Sequence, residues 1–230
     1  VDTLKYVRSF DNGASWSAIY PIIYFNAASN SYWFWLRYSL GRVHLLFQQR
    51  SPTTNITEIF YKHSDNWGET WSEMVPVSDD SMAISQWGYL FATDDGRLCA
   101  SWFDYKYGSG GGGFTGDVLY RISLDNGESW GPELRLTYHQ LANASRSFIL
   151  ENTIGMVWED ARTGFFTPEL YYAESSDMGQ SWGDEVRLTE AQCSSDQPEL
   201  LMWEDNLYLL WMDSRDNTSL VNEIYFRRAN

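Results

Sequence analysis

An eight-residue phrase recurs four times along this chain of 230 residues, and a repeat of that kind limits the fold more than any single residue does. It begins as Ser9-Phe10-Asp11-Asn12-Gly13-Ala14-Ser15-Trp16 and returns as Ser64-Asp65-Asn66-Trp67-Gly68-Glu69-Thr70-Trp71. The third copy is Ser123-Leu124-Asp125-Asn126-Gly127-Glu128-Ser129-Trp130, and the fourth is Ser175-Ser176-Asp177-Met178-Gly179-Gln180-Ser181-Trp182. Successive copies lie 55, 59 and 52 residues apart. Each follows a short strand pattern, Leu4–Tyr6, Ile59–Tyr61, Val118–Tyr120 or Leu170–Tyr172. Further strand patterns follow at Met74–Val77, Glu133–Leu136 and Glu185–Leu188, so the phrase is predicted to be a hairpin turn. Gly13, Gly68, Gly127 and Gly179 supply the positive φ of a tight loop. Asp11, Asn66, Asp125 and Asp177 offer a side-chain oxygen to loop N–H groups that have no strand partner. Trp16, Trp71, Trp130 and Trp182 pack back on the sheet. One carboxylate per turn falls short of the roughly six to eight oxygens that calcium takes, so the turns are read as structural and no metal is expected.

A second piece repeats in step with the first. Trp102-Phe103-Asp104-Tyr105-Lys106, Trp158-Glu159-Asp160-Ala161-Arg162 and Trp211-Met212-Asp213-Ser214-Arg215 share the form Trp-x-Asp-x-cation, each ending an apolar strand. Arg50, after Phe47-Gln48-Gln49, is a degraded version. An acid then opens the next strand at Glu58, Asp117, Glu169 and Glu223. The Asp, the cation and that acid are expected to form one hydrogen-bonded cluster, structural because it is repeated.

One unit therefore runs inner strand, Trp-x-Asp strand, Tyr strand, turn, outer strand, which is the length and content of a four-stranded propeller blade. The predicted fold is all-β: a single β-propeller over residues 1–230, built of four-stranded antiparallel blades, with four full repeats plus a partial one. The N-terminal outer strand could complete the last blade of a four-bladed ring, or the chain could be a contiguous piece of a larger propeller.

The phrase Ser/Thr-x-Asp-x-Gly-x-Ser/Thr-Trp resembles the Asp-box of the bacterial neuraminidase repeat, and its four copies cover nearly the whole chain. The resemblance implies a sialidase-like, Asp-box propeller, a superfamily that includes exo-sialidases, other glycan-active enzymes, carbohydrate-binding modules and sorting receptors. Sialidases of this kind carry an Arg-Ile-Pro segment early in the chain; the nearest region here, Ile19-Tyr20-Pro21-Ile22, has no arginine. Neither a Tyr–Glu nucleophile pair nor an isolated acid can be assigned from the motif. The resemblance also implies that the turns lie opposite a ligand funnel. That funnel would be lined by the starts of the inner strands and by the loops after the Trp-x-Asp strands.

The non-repeated residues at those places are the ligand-binding candidates: Tyr32, Gln86, Trp87, Arg146, Asp196 and Gln197, with His139 in a nearby loop. Arg146 would put a cation toward the axis of an acidic protein, able to hold a ligand carboxylate or to pair with a neighbouring acid. His139 could donate a proton near neutral pH. The glycine-rich loop Tyr107–Phe114 lacks the Gly-Lys-Ser/Thr of a phosphate cradle. Tyr32-Trp33-Phe34-Trp35 and Tyr38 are expected to divide between blade interface and funnel.

A formal net charge of −15 argues against nucleic acid and anionic membranes as partners, and no apolar run is long enough to insert in a bilayer. The first residue, Val1, reads as a processed or excised start. Cys99 and Cys193 are too far apart for a metal pair, and Cys99 is expected to be a buried thiol. Sequons at Asn55, Asn143 and Asn217 suit an extracellular or cell-surface protein. The leading functional expectation is a non-catalytic extracellular binding or scaffold propeller, with a glycan as the first ligand class and a protein ligand as the other, needing no cofactor. The alternatives are an exo-acting, sialidase-like glycoside hydrolase working through paired carboxylates or a Tyr–Glu nucleophile, and a surface-assembly subunit that self-associates through open blade edges.

Overall fold

In the computed structural model, residues 3–25, 33–51, 53–78, 83–108, 115–191, 193–203, 206–215 and 223–229 are described, and their regular structure is β-strand throughout. The strands form five antiparallel sheets in chain order. The first holds β1 (Thr3–Tyr6) and β2 (Tyr20–Tyr24). The second holds β3 (Phe34–Ser39), β4 (Arg42–Arg50), β5 (Thr57–Ser64) and β6 (Val75–Pro76). The third holds β7 (Ser85–Ala92), β8 (Leu98–Asp104), β9 (Asp117–Ser123) and β10 (Leu134–Arg135). The fourth holds β11 (Ala142–Leu150), β12 (Thr153–Asp160), β13 (Glu169–Ser175) and β14 (Val186–Arg187). The last holds β15 (Ser195–Trp203), β16 (Asn206–Asp213) and β17 (Glu223–Ala229). The inner strands β3, β7, β11 and β15 are neighbours in succession, which is the arrangement of propeller blades around an axis.

The core is a series of layers between these sheets. Ile23 and Phe25 meet Leu45, Phe47 and Phe60; Leu46, Ile59 and Tyr61 meet Leu90, Trp102 and Leu119. Farther along, Cys99, Val118 and Tyr120 meet Met156, Trp158 and Ala173, while Val157 and Leu170 meet Leu209 and Trp211. Central strands buried on both faces therefore read as continuous apolar runs, as in Leu98-Cys99-Ala100-Ser101-Trp102. The Cys99 thiol lies wholly inside, and burial pushes its pKa up to about 12.

The four repeated turns share one hydrogen-bond pattern. The Asp or Asn oxygen accepts the Ser or Thr amide four residues on, at 2.8, 2.9, 2.9 and 2.8 Å in the four copies. The opening Ser hydroxyl accepts the glycine amide at 2.7, 2.7, 2.9 and 2.8 Å. Two consecutive left-handed residues make each turn, for example Asn126 (φ 59°) and Gly127 (φ 82°). Glycine is required for a second reason. Tyr6 and Tyr120 donate their hydroxyls to the carbonyls of Gly68 and Gly179 in the next sheet's turn, and a Cβ on Gly127 would collide with the Tyr61 hydroxyl. The Tyr strands of the first three sheets thus each pack against the turn of the next sheet.

The expected single charge cluster is instead two. Each Trp-x-Asp carboxylate takes its own indole N–H: Asp104 from Trp102 at 3.0 Å, Asp160 from Trp158 at 3.3 Å, Asp213 from Trp211 at 2.9 Å. Arg162 and Arg215 close on the same Asp160 and Asp213. The acid opening the next strand belongs elsewhere: Asp117 and Glu169 hold Arg135–Thr137 and Arg187–Thr189 of the outer strands. Asp117 and Glu169 lie directly opposite Asp104 and Asp160 in register, yet each leans away along the sheet to the Arg and Thr of the outer strand, which gives it opposite charge and a hydroxyl donor instead of a second carboxylate.

Ring closure through the N-terminal outer strand is not formed: among the described residues β2 pairs with β1, and β17 with β16. Phe34 and Leu36 of β3 remain exposed along an apolar groove of about 500 Å³ beside β1.

Candidate functional site

Each of the inner strands β7, β11 and β15 carries a bulge near its start, where Trp87 (φ 55°), Ala144 (φ 42°) and Gln197 (φ 52°) take the left-handed conformation. For residues with side chains this costs energy, and for a tryptophan it is a marked outlier. The bulge turns one amide out of its ladder, and that amide needs an acceptor. The middle residue of the preceding Trp-x-Asp strand supplies it where it can. Gln48 Oε1 accepts the Trp87 amide at 2.9 Å, and Glu159 Oε1 accepts the Gln197 amide at 2.5 Å. Phe103 has no acceptor to offer, and the Ala144 amide donates to Asn143 Oδ1 at 2.6 Å instead.

Around the last two bulges opens a cleft of about 730 Å³. Arg146, Glu159, Asp196 and Glu199 give it its charge, and Trp33, Trp35, Trp87, Phe165 and Phe166 give it an aromatic wall. Trp33 and Trp35 reach it because alternate residues of one strand share a face; Phe34 and Leu36 turn the other way, into the groove beside β1. Phe165 and Phe166 sit on the loop after β12, edge to face at 5.2 Å, with Phe166 87% exposed.

Glu159 is the most perturbed acid of the cleft. Only 9% exposed, it has its pKa raised from 4.5 to about 7, chiefly by burial; the nearby Asp196 charge raises it further, whereas the Gln197 amide and Arg146 oppose the shift. Its Oε2 has no hydrogen-bond partner among the described residues. Asp196, half-buried, also has a raised pKa, from burial first and from Asp213, opposed by a hydrogen bond from Ser194. Its Oδ1 is buried without a hydrogen-bond partner. Arg146 gives Nε and Nη2 to Glu199 Oε1 at 3.0 and 2.8 Å, and Nη1 to the Ser145 carbonyl at 3.0 Å. Its guanidinium lies over Trp35 and Tyr89, 5.1 and 5.0 Å from the ring centroids. Two acids, one held protonated to neutral pH, can exchange protons with a bound molecule there.

The sequence candidates divide. Arg146, Asp196, Gln197 and Trp87 line the cleft together. Gln86 bonds instead to Tyr105, and His139 stands outside, with Nε2 3.9 Å from Glu185. Tyr32 lies outside the described residues, as do residues 109–114 of the glycine-rich loop and Asn217. Asn143 lies in the cleft wall, its Oδ1 committed to the Ala144 amide. Sequence reasoning missed Glu159, Glu199 and the Phe165–Phe166 pair. The available signal was the variable middle position of the Trp-x-Asp repeat, Gln48, Phe103, Glu159 and Met212 in turn.

No protein-family model and no curated protein matches the chain. Solved structures do match in fold. An α-L-arabinanase from Penicillium chrysogenum superposes with a TM-score of 0.65 at 12% identity, over 86% of this chain and 62% of that one. The GH93 α-L-arabinofuranosidase of Fusarium graminearum gives 0.63 at 14% identity, over 82% of this chain and 59% of that one. A Hadza microbial sialidase gives 0.63 at 14% identity, over 99% of this chain and 50% of that one. The chain thus has the sialidase-like β-propeller fold and spans between half and 62% of the length of these three glycosidases.

Proposed function

We propose that this propeller is a glycoside hydrolase whose cleft protonates a glycosidic oxygen from Glu159. The sequence puts non-catalytic glycan binding first; the observation that favours catalysis is a buried carboxyl, titrating at about 7, beside a second acid in an aromatic-walled cleft. The likeness to arabinan- and sialic-acid-cleaving propellers supports the class of reaction by analogy of fold alone.

In this reading the Glu159 proton passes to the leaving-group oxygen as the bond from that oxygen to the anomeric carbon breaks. Asp196 supplies the second carboxylate that glycoside cleavage needs, as base toward water or as nucleophile. Burial separates the roles, because it acts more strongly on Glu159 than on the half-buried Asp196. The aromatic wall offers flat apolar faces to sugar rings.

The non-catalytic reading keeps one specific support. Gln48 makes to Trp87 the same bond that Glu159 makes to Gln197, so a carboxylate there can serve the bulge alone. Hydrolysis of a panel of oligosaccharides, arabinobiose and 3′-sialyllactose among them, separates the two. Catalysis requires turnover by the wild type and a loss of roughly 10²-fold or more in kcat for Glu159→Gln, with binding retained. Binding without turnover by the wild type would leave a lectin-like propeller.

A further inference from the structure

Resting on the reading of this cleft as a glycan site, we propose that it selects uncharged sugars, with the Arg146–Glu199 pair acting as a charge filter. Among the described residues that line the cleft, Arg146 is the only cation and stands among three acids, Glu159, Asp196 and Glu199. A guanidinium recognises a carboxylate best with two parallel N–H groups. The Nε and Nη2 edge of Arg146 is already given to Glu199, Nη1 is engaged by the Ser145 carbonyl, and the flat of the group lies near Trp35 and Tyr89. The exposures decide what a ligand meets: the Arg146 side chain is 13% exposed and that of Glu199 is 53%. The face turned to the ligand is therefore the carboxylate.

The pair joins β11 to β15, neighbouring inner strands, so it is held by the rigid part of two blades. A sugar carboxylate entering the cleft has to displace Glu199 from Arg146 and settle beside Asp196, an arrangement of like charges that rejects the wrong ligand. A neutral ring meets no such penalty and gains contact with the exposed Trp33 and Phe166.

The test uses a glycan array carrying neutral, uronate-bearing and sialylated oligosaccharides, followed by calorimetry on matched neutral and carboxylated pairs. Wild type is expected to bind neutral glycans and to bind their carboxylated counterparts at least about tenfold more weakly. Glu199→Ala, which bares the Arg146 edge, is expected to raise the ratio of acidic to neutral affinity by about tenfold or more. Glu199→Gln removes the charge while keeping a hydrogen-bond acceptor, and is expected to move the ratio in the same direction by less. Acidic glycans preferred by the wild type and lost in Arg146→Ala would overturn the filter while leaving the glycan site standing. An unchanged ratio in both Glu199 variants, confirmed folded by circular dichroism, overturns it too. Absence of any glycan binding by the wild type would remove the site reading on which the filter rests.

Discussion

Replacing Glu159 by Gln tests the central feature of the cleft without reference to any ligand. The carboxyl is 9% exposed, and its pKa rises from 4.5 to about 7 in the fold. A raised pKa means that the folded chain holds the proton more tightly than the unfolded chain. Below pH 4.5 both states are protonated and that contribution is present in full; it is lost as pH rises from 4.5 to about 7, and above 7 both states are ionised. At about 1.36 kcal/mol per pH unit, that interval amounts to about 3 kcal/mol. Glutamine carries no titrating proton, and the Gln48–Trp87 bond demonstrates that an amide oxygen can hold the bulge in the same slot. Glu159→Gln should therefore be more stable than wild type by about 1–3 kcal/mol at pH 8, the difference shrinking toward pH 4.5. Urea unfolding of both proteins at pH 4.5, 6, 7 and 8 measures this, and slopes from Asp196 and other shared groups largely cancel in the difference. A difference that stays constant across the range would refute the assignment, because Glu159 would then ionise as an ordinary exposed acid. A variant less stable at every pH would mean that the carboxylate's charge, rather than its shape, holds the Gln197 bulge.

Four other outcomes follow from the same geometry. Tyr120→Phe removes the acceptor of the Trp182 indole N–H at 2.8 Å and the donor to the Gly179 carbonyl at 2.7 Å, and should cost about 1–3 kcal/mol in urea unfolding. Asp125→Asn copies the natural Asn66 turn, which keeps its bond to the Thr70 amide; stability near pH 7 should change by less than about 1 kcal/mol in thermal melts. Trp158→Ala empties a fully buried site and strips Asp160 of its indole donor, so a loss of about 3–5 kcal/mol, read as a lowered urea midpoint, is expected. Phe166→Ala touches an 87% exposed ring and should leave the melting temperature within about 2 °C of wild type, while weakening oligosaccharide binding in calorimetry by about 1 kcal/mol.

The fold was legible because its constraints are local and repeated. Gly68, Gly127 and Gly179 mark the turns by their φ, whereas the bonds from Tyr6 and Tyr120 to the Gly68 and Gly179 carbonyls join residues 62 and 59 positions apart and were not legible in the phrase itself. The partner of the strand-opening acids was not legible, because Asp117 and Glu169 bond across the sheet to residues 18–20 positions away. Arg146 and Asp196 stood out as off-repeat residues, but the Glu199 that occupies Arg146 is 53 residues distant and reaches it only once β11 and β15 are neighbours.

Glu159 escaped for a different reason, which says something about how a site can arise on such a scaffold. Its flanking Trp158 and Asp160 are bound into the framework by their mutual hydrogen bond, which makes the whole motif read as structural. The middle residue is under a weaker demand, since the left-handed bulge of the next blade asks only for an acceptor. Gln48 meets that demand without charge, and Phe103 leaves it to Asn143. Glu159 meets it with Oε1 while lining the cleft, so a carboxyl at the cleft wall is fixed in place by the fold, as the proposed proton transfer requires. In this chain the proposed acid thus lies inside the repeated motif, at the position where the repeats disagree and where a backbone amide of the next unit needs an acceptor.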